Sequence, residues 1–144
     1  MIKEAWRDYA THMFRTYAEH GCENAERVRE RIIEREKRKR EWSDASLGEA
    51  RAKKIAERYK RKLDDIAIVD AVFREFNENG KGYITDVVRA VYLIQPSRGL
   101  RKGDVSARVR RFAYEYHVTE KQAYAWLKEA RKAVAYAKGL DTDN

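Results

Sequence analysis

Apolar positions along this chain recur at helical spacing from end to end, and no stretch alternates as a strand would. Between residues 2 and 20, Trp6, Tyr9, Met13, Phe14 and Tyr17 fall at i, i+3, i+4 spacing, and Gly21 supplies a helix stop. Asn24 caps a second helix, to about Trp42, whose apolar face is thin: Val28, Ile32, Ile33 and Trp42 amid alternating glutamate and arginine. Such i, i+4 pairs stabilise a solvated helix by a few tenths of a kcal/mol each. A capping box, Ser46-Leu47-Gly48-Glu49, opens what reads as the longest helix, to about Phe76. Within it Ala52, Tyr59, Ile66 and Phe73 repeat every seven residues, as do Ile55, Val69 and Phe76, with Lys62 interrupting the second row. That is a heptad seam over residues 52–76, able to pack inside the chain or against a second copy in a homodimer.

Asn79-Gly80 ends this helix. The segment from Asn77 to Val88 has the outline of a calcium loop, but Lys81 and Val88 stand where a ligand and a bidentate glutamate belong. A helix stop is the better reading. A further helix, capped by Thr85, carries Val87, Val88, Val91, Tyr92 and Ile94 and stops before Pro96. After the loop PSRGLRKGD, Asp104 caps a helix with Val109, Phe112, Ala113 and Tyr116. A corner at His117-Val118 follows, and Thr119-Glu120-Lys121-Gln122 forms a second capping box that opens the last helix. Phe112, Tyr116, Val118, Ala123 and Trp126 form the expected inward set of this pair, with Ala113 the small residue at the crossing. His117 takes the corner position that is commonly a glycine. The expected fold is therefore all-α: a helical bundle with a long heptad-patterned helix and a C-terminal helix-turn-helix at about 105–138. Residues 1–62 form a charged helical arm and residues 63–144 the domain that carries the motif.

Charge sharpens the picture. The net charge is +8, and residues 1–97 hold 21 Lys and Arg against 18 Asp and Glu. Residues 98–138 hold 11 against four, so the helix-turn-helix segment carries most of the excess. Positive charge on an element shaped to enter a groove is what neutralising phosphates requires. A solvated basic face with no partner is the plain alternative.

Other chemistries find little support. Cys22 is alone and matches no metal-ligand spacing, which suits a reducing cytoplasm. His12, His20 and His117 are scattered, and Gly80-Lys81-Gly82 lacks the context of a phosphate loop. No enzymatic activity, cofactor or metal is expected. No apolar run reaches the roughly 18 residues a membrane span needs, and MIKEAWRDYATHMF lacks a signal peptide's apolar centre.

Residues 63–140, with VVRAVYL, the variable loop, RRFAYEYHVTEKQAYAWLKEARKAVAYAKGL and the closing Ala137-Lys138-Gly139-Leu140, resemble the C-terminal half of small phage transcriptional regulators of the RinA/ArpU type. These in turn resemble region 4 of sigma factors. The resemblance implies a sequence-specific regulator that activates a phage or prophage late operon in the bacterial host cytoplasm and touches RNA polymerase. His117 and the long basic loop depart from the usual pattern. Base reading would fall to Glu120, Lys121, Tyr124, Ala125 and Lys128, early on the second helix. Phosphate contacts would fall to Arg98, Arg101, Lys102, Arg108, Arg110, Arg111, Arg131 and Lys132. Three alternatives stay open: a phage small terminase subunit, a helical adaptor that binds RNA polymerase and, on weaker grounds, an RNA-binding role.

Overall fold

A computed structural model describes residues 5–40, 45–140 and Thr142, with the side chains of all but 39–40 and 45–48. Seven helices and no strand are present among them: α1 Ala5–Glu19, α2 Ala25–Arg40, α3 Ala45–Arg58, α4 Lys60–Glu78, α5 Gly82–Tyr92, α6 Asp104–Tyr116 and α7 Glu120–Lys138. None is long and apolar enough to cross a membrane. Trp42 and the side chains of the Ser46–Gly48 part of the capping box lie outside the described residues.

The aromatic face of α1 makes the centre. Phe14 is fully buried between Phe73 of α4 and Tyr92 of α5, both rings stacked on it at 5.8 and 5.7 Å, while Tyr17 meets Phe73 edge-on. Around this column α1 packs against α4, α5 and α7, and α4 also meets α2, α3, α5 and α7. One continuous cluster of buried side chains joins helices from both sides of residue 62. At the rim of that cluster, buried Asp65 accepts from the Tyr9 hydroxyl at 2.9 Å and forms an ion pair with the Lys138 ammonium at 2.7 Å. The last turn of α7 is thereby tied to the second turns of α1 and α4. Hydrogen bonding to Asp65 raises the Lys138 pKa above its ordinary value.

The single helix expected over 46–76 is divided at Tyr59 (φ −98°, ψ 9°). Backbone bonds run across the joint, from the Tyr59 amide to the Ile55 carbonyl and from the Leu63 amide to the Tyr59 carbonyl, so it is a one-residue elbow. The reason lies in the seam. Lys62 stands where an apolar side chain is needed; it is exposed, with its ammonium 6.0 Å from the Tyr59 ring centre, and full burial of apolar side chains resumes at Ile66. Ile55, Ile66, Val69, Phe73 and Phe76 all enter the chain's own core. These five seam positions are used inside the chain, while Ala52 and Tyr59 are half-buried.

Helix ends follow local chemistry. Asn24 accepts the Arg27 amide at 2.9 Å, as its capping role predicts. Cys22, at the α1–α2 corner, is half-buried, and burial pushes its thiol pKa up, away from the reactive thiolate. Thr85 does not cap α5. The Lys81 amide closes α4 by bonding to the Phe76 carbonyl, α5 starts at once at Gly82, and Thr85 lies a turn inside with its hydroxyl buried. At the end of α6 the Val118 amide bonds to the Ala113 carbonyl, with His117 left-handed at φ 55°, ψ 44°. The α4 and α7 stops have the same bonding with Gly80 and Gly139 at φ 74° and 88°. A β-carbon in this region is unfavourable. His117→Gly is therefore expected to raise the unfolding free energy by about 1 kcal/mol, read in urea denaturation; a loss of stability would mean that the imidazole has a role of its own at the corner.

Candidate nucleic-acid interface

The α6–α7 pair is set by the loop before it. Arg15, a buried guanidinium on α1, donates to four carbonyls at the end of α5 and beyond: Tyr92 (2.8 Å), Ile94 (2.9 Å), Gln95 (2.9 Å) and Arg98 (2.5 Å). A helix C-terminus presents unsatisfied carbonyls and partial negative charge, and a planar five-donor cation suits both. Arg108 of α6 adds donors to the Val91 carbonyl (2.8 Å) and the Gln95 side chain (3.0 Å). Arg98 bridges Gln95 and Asp104 at 3.0 and 2.9 Å. Nothing in the sequence marked Arg15 for this role.

Asp104 is the first residue of α6 and not its cap; Gly103 takes the cap position. Its carboxylate reaches back to accept the Arg101 amide at 2.7 Å as well as the Arg98 guanidinium. The Arg98 hydrogen bond, then the Arg101 amide, hold its pKa at about 2, below the ordinary aspartate value of 3.8. A depressed carboxylate pKa contributes stability that is present above the unfolded-state value and lost as pH falls through the folded one. The loop clasp is expected to open between about pH 4 and pH 2. Carbon-13 NMR of the Asp104 carboxyl checks this: a midpoint near 2 fits, and one near 4 does not.

Beyond this clasp, the corner is three residues, His117 to Thr119. The Thr119 hydroxyl accepts the Gln122 amide at 3.0 Å, as the capping box predicts. The inward face of α7 is Ala123, Leu127, Ala130 and Val134, all fully buried. Leu127 escaped the sequence reading, although its spacing in that row is visible. Trp126 sits beside the row, 4.6 Å from Tyr83 and edge-on to Phe112. Tyr116, expected inside, is 49% exposed and stacks flat on Phe112 at 4.1 Å.

The outward face of α7 is different in kind. Lys121, Ala125, Lys128 and Lys132, at i, i+4, i+7 and i+11, form one exposed stripe opposite the buried row. Glu120 and Tyr124 flank its N-terminal end, also exposed. All five residues expected to read bases are exposed; Lys121, Ala125 and Lys128 lie on the outer stripe, whereas Glu120, three and seven residues before Ala123 and Leu127, stands nearer the edge of the buried row. The expected phosphate set divides. Arg98 and Arg108 serve the clasp, and Arg131 donates to the Tyr92 hydroxyl at 2.8 Å. The side chains of Arg101, Lys102, Arg110, Arg111 and Lys132 are exposed and make no ion pair or hydrogen bond with the described residues, as is true of Lys121 and Lys128. Glu129, at the edge of the stripe, is paired with Lys81 at 3.3 Å. Among the described residues no group of three or more His, Cys, Asp or Glu side chains is placed to hold a metal ion.

Among the described residues, seven cations of α6, α7 and the loop before them therefore face solvent without a partner, on helices whose other faces are fixed in the core. No protein-family model, curated protein or solved structure matches this chain.

Proposed function

We propose that this protein is a sequence-specific double-stranded DNA-binding regulator of transcription, with α6 and α7 working as a helix-turn-helix and α7 lying in the major groove. One observation carries the reading: the exposed, unpaired stripe Lys121-Ala125-Lys128-Lys132, directly opposite a row of fully buried apolar residues on the same helix. A helix with its side chains is about 10–12 Å across, and the major groove is about 12 Å wide. Lys121 and Lys128 donate to guanine, Glu120 accepts from cytosine, and Ala125 or Tyr124 meets a thymine methyl. Arg101, Lys102, Arg110, Arg111 and Lys132 take phosphates and set the register. On the family resemblance of residues 63–140, the site regulated is a phage or prophage late operon, with RNA polymerase as a second partner.

Selection of binding sites from a randomised duplex pool tests the reading. The protein is expected to enrich one motif, and Lys121→Ala to relax it at one or two positions at a cost of about 1–3 kcal/mol against the preferred site. No enrichment, or an enriched motif indifferent to Lys121, would refute base reading by α7.

A further inference from the structure

Excess charge is also concentrated in a second place. Residues 50–62, ARAKKIAERYKRK, hold seven Lys and Arg against Glu57 alone, whereas residues 1–49 hold 11 cations and 11 anions and residues 63–97 hold three against six. This segment is the α3–α4 elbow at Tyr59. Ile55 is buried on its inner side, with Ala52, Ala56 and Tyr59 half-buried, and every one of its cations is exposed. Lys54, Arg58 and Arg61 stand at i, i+4 and i+7 on one line, with Lys53 and Lys60 beside them. Lys53, Lys54, Arg58 and Lys60 make no ion pair or hydrogen bond with the described residues.

Such an arrangement opposes helix stability, because like charges three and four residues apart repel. The charged helix α2 shows the ordinary solution, cations interleaved with glutamates, and Glu23 just before it meets Arg27 and Arg31. A cation row in which seven Lys and Arg are set against Glu57 alone is explained by a polyanion that supplies the missing negative charge. No large apolar side chain is exposed at the elbow, as a membrane surface would favour. Position favours the duplex. Arg61 and Lys138, the last residue of α7, both approach the Tyr9 ring, at 5.8 and 5.9 Å from its centre. The elbow thus adjoins the C-terminal end of the helix that carries the Lys121–Lys132 stripe. From Lys121 to Lys138 is about 26 Å along α7, about three-quarters of one turn of duplex at about 34 Å.

We propose that the α3–α4 elbow is a second phosphate-binding surface, which takes backbone phosphates of the same duplex beyond the end of α7. This rests on the DNA reading of α6–α7, and it enlarges the contact from a helix pair to a two-part footprint. The elbow supplies affinity and orientation but no base discrimination.

Fluorescence-anisotropy titrations of the full chain with duplexes of about 12 and 30 base pairs, over a range of salt, test it. The elbow variant is Lys53→Gln/Lys54→Gln/Arg58→Gln/Lys60→Gln. A control of equal charge removes exposed cations elsewhere: Arg29→Gln/Lys37→Gln/Arg74→Gln/Arg89→Gln. The wild type is expected to favour the long duplex. The elbow variant is expected to lose that preference, bind about 10- to 100-fold more weakly, and lower the log–log salt slope by about 2–3, at roughly 0.9 per phosphate contact. The control changes little. An elbow variant with unchanged slope and length preference overturns the proposal while leaving the α6–α7 site intact. Equal losses in the control overturn it too, as a net-charge effect. An elbow variant that fails to bind, beside a Lys121→Ala/Lys128→Ala variant that binds normally, supports the elbow and refutes the α6–α7 reading. A wild type with no salt-sensitive duplex binding refutes both, as does elbow-dependent binding to phosphatidylserine vesicles without duplex binding.

Discussion

Arg15→Ala is expected to lower the unfolding free energy by about 3–5 kcal/mol, the largest loss of any single side chain outside the apolar core. The guanidinium is only 8% exposed, and its two terminal nitrogens serve four carbonyls drawn from residues 92, 94, 95 and 98. A hydrogen bond to a charged group contributes about 1.5–3 kcal/mol. The four share one cation and so do not add, but alanine leaves the carbonyls without these donors and opens space where the side chain lay. Arg15→Lys should recover only part of the loss, since an ammonium cannot span two nitrogens' worth of partners. The damage is local before it is global: amides from Gln95 to Asp104 should lose hydrogen-exchange protection first, because they hang from this cation. Urea denaturation at neutral pH measures the total, and a change below about 1 kcal/mol would mean that the clasp stands without Arg15.

Arg110→Ala/Arg111→Ala is expected to weaken binding to every duplex alike, by about 10- to 30-fold at moderate salt, and to lower the salt slope by about 2. Both side chains are exposed on α6 and unpaired among the described residues, so stability should hold while affinity falls. The preferred motif should not change, because phosphate contacts position the protein and carry no sequence information. Arg98→Ala, Arg108→Ala and Arg131→Ala form the counter-set. Their guanidiniums are engaged with Asp104, the Val91 carbonyl and the Tyr92 hydroxyl. Their loss should show first in the denaturation midpoint. A double variant at 110 and 111 that binds with the wild-type salt slope would remove both residues from the interface.

What was legible in the sequence was local. Asn24 and Thr119 declared their caps because a capping side chain bonds an amide three residues on. The corner at His117 could be placed because helices must end within a residue or two of a left-handed position. The outward stripe of α7 followed from period alone. What stayed hidden depends on partners far along the chain. Arg108 and Arg131 look like Arg110 and Arg111 in a list of cations, and only the fold brings them to Val91 and Tyr92, 17 and 39 residues away. Arg15 is further still from its carbonyls and sits in an aromatic face where a cation reads as solvent-exposed. Thr85 shows the opposite failure: a cap-forming residue type inside a helix, because the α4 stop and the α5 start share one turn. The elbow at Tyr59 was present in the sequence as the Lys62 interruption, but a single polar residue in a heptad seam does not say whether the helix bends there.

The central claim, that the outer faces of α6 and α7 meet duplex DNA, is tested most directly by nitrogen-15 NMR as a duplex carrying the selected motif is added at low salt. Shifts are expected to concentrate at Arg101, Lys102, Arg110, Arg111 and the run from Glu120 to Lys132, while the amides of Leu127, Ala130 and Val134, on the buried row, move less than their outward neighbours. A duplex that binds without perturbing Lys121, Ala125 or Lys128, or that does not bind at all, contradicts the account.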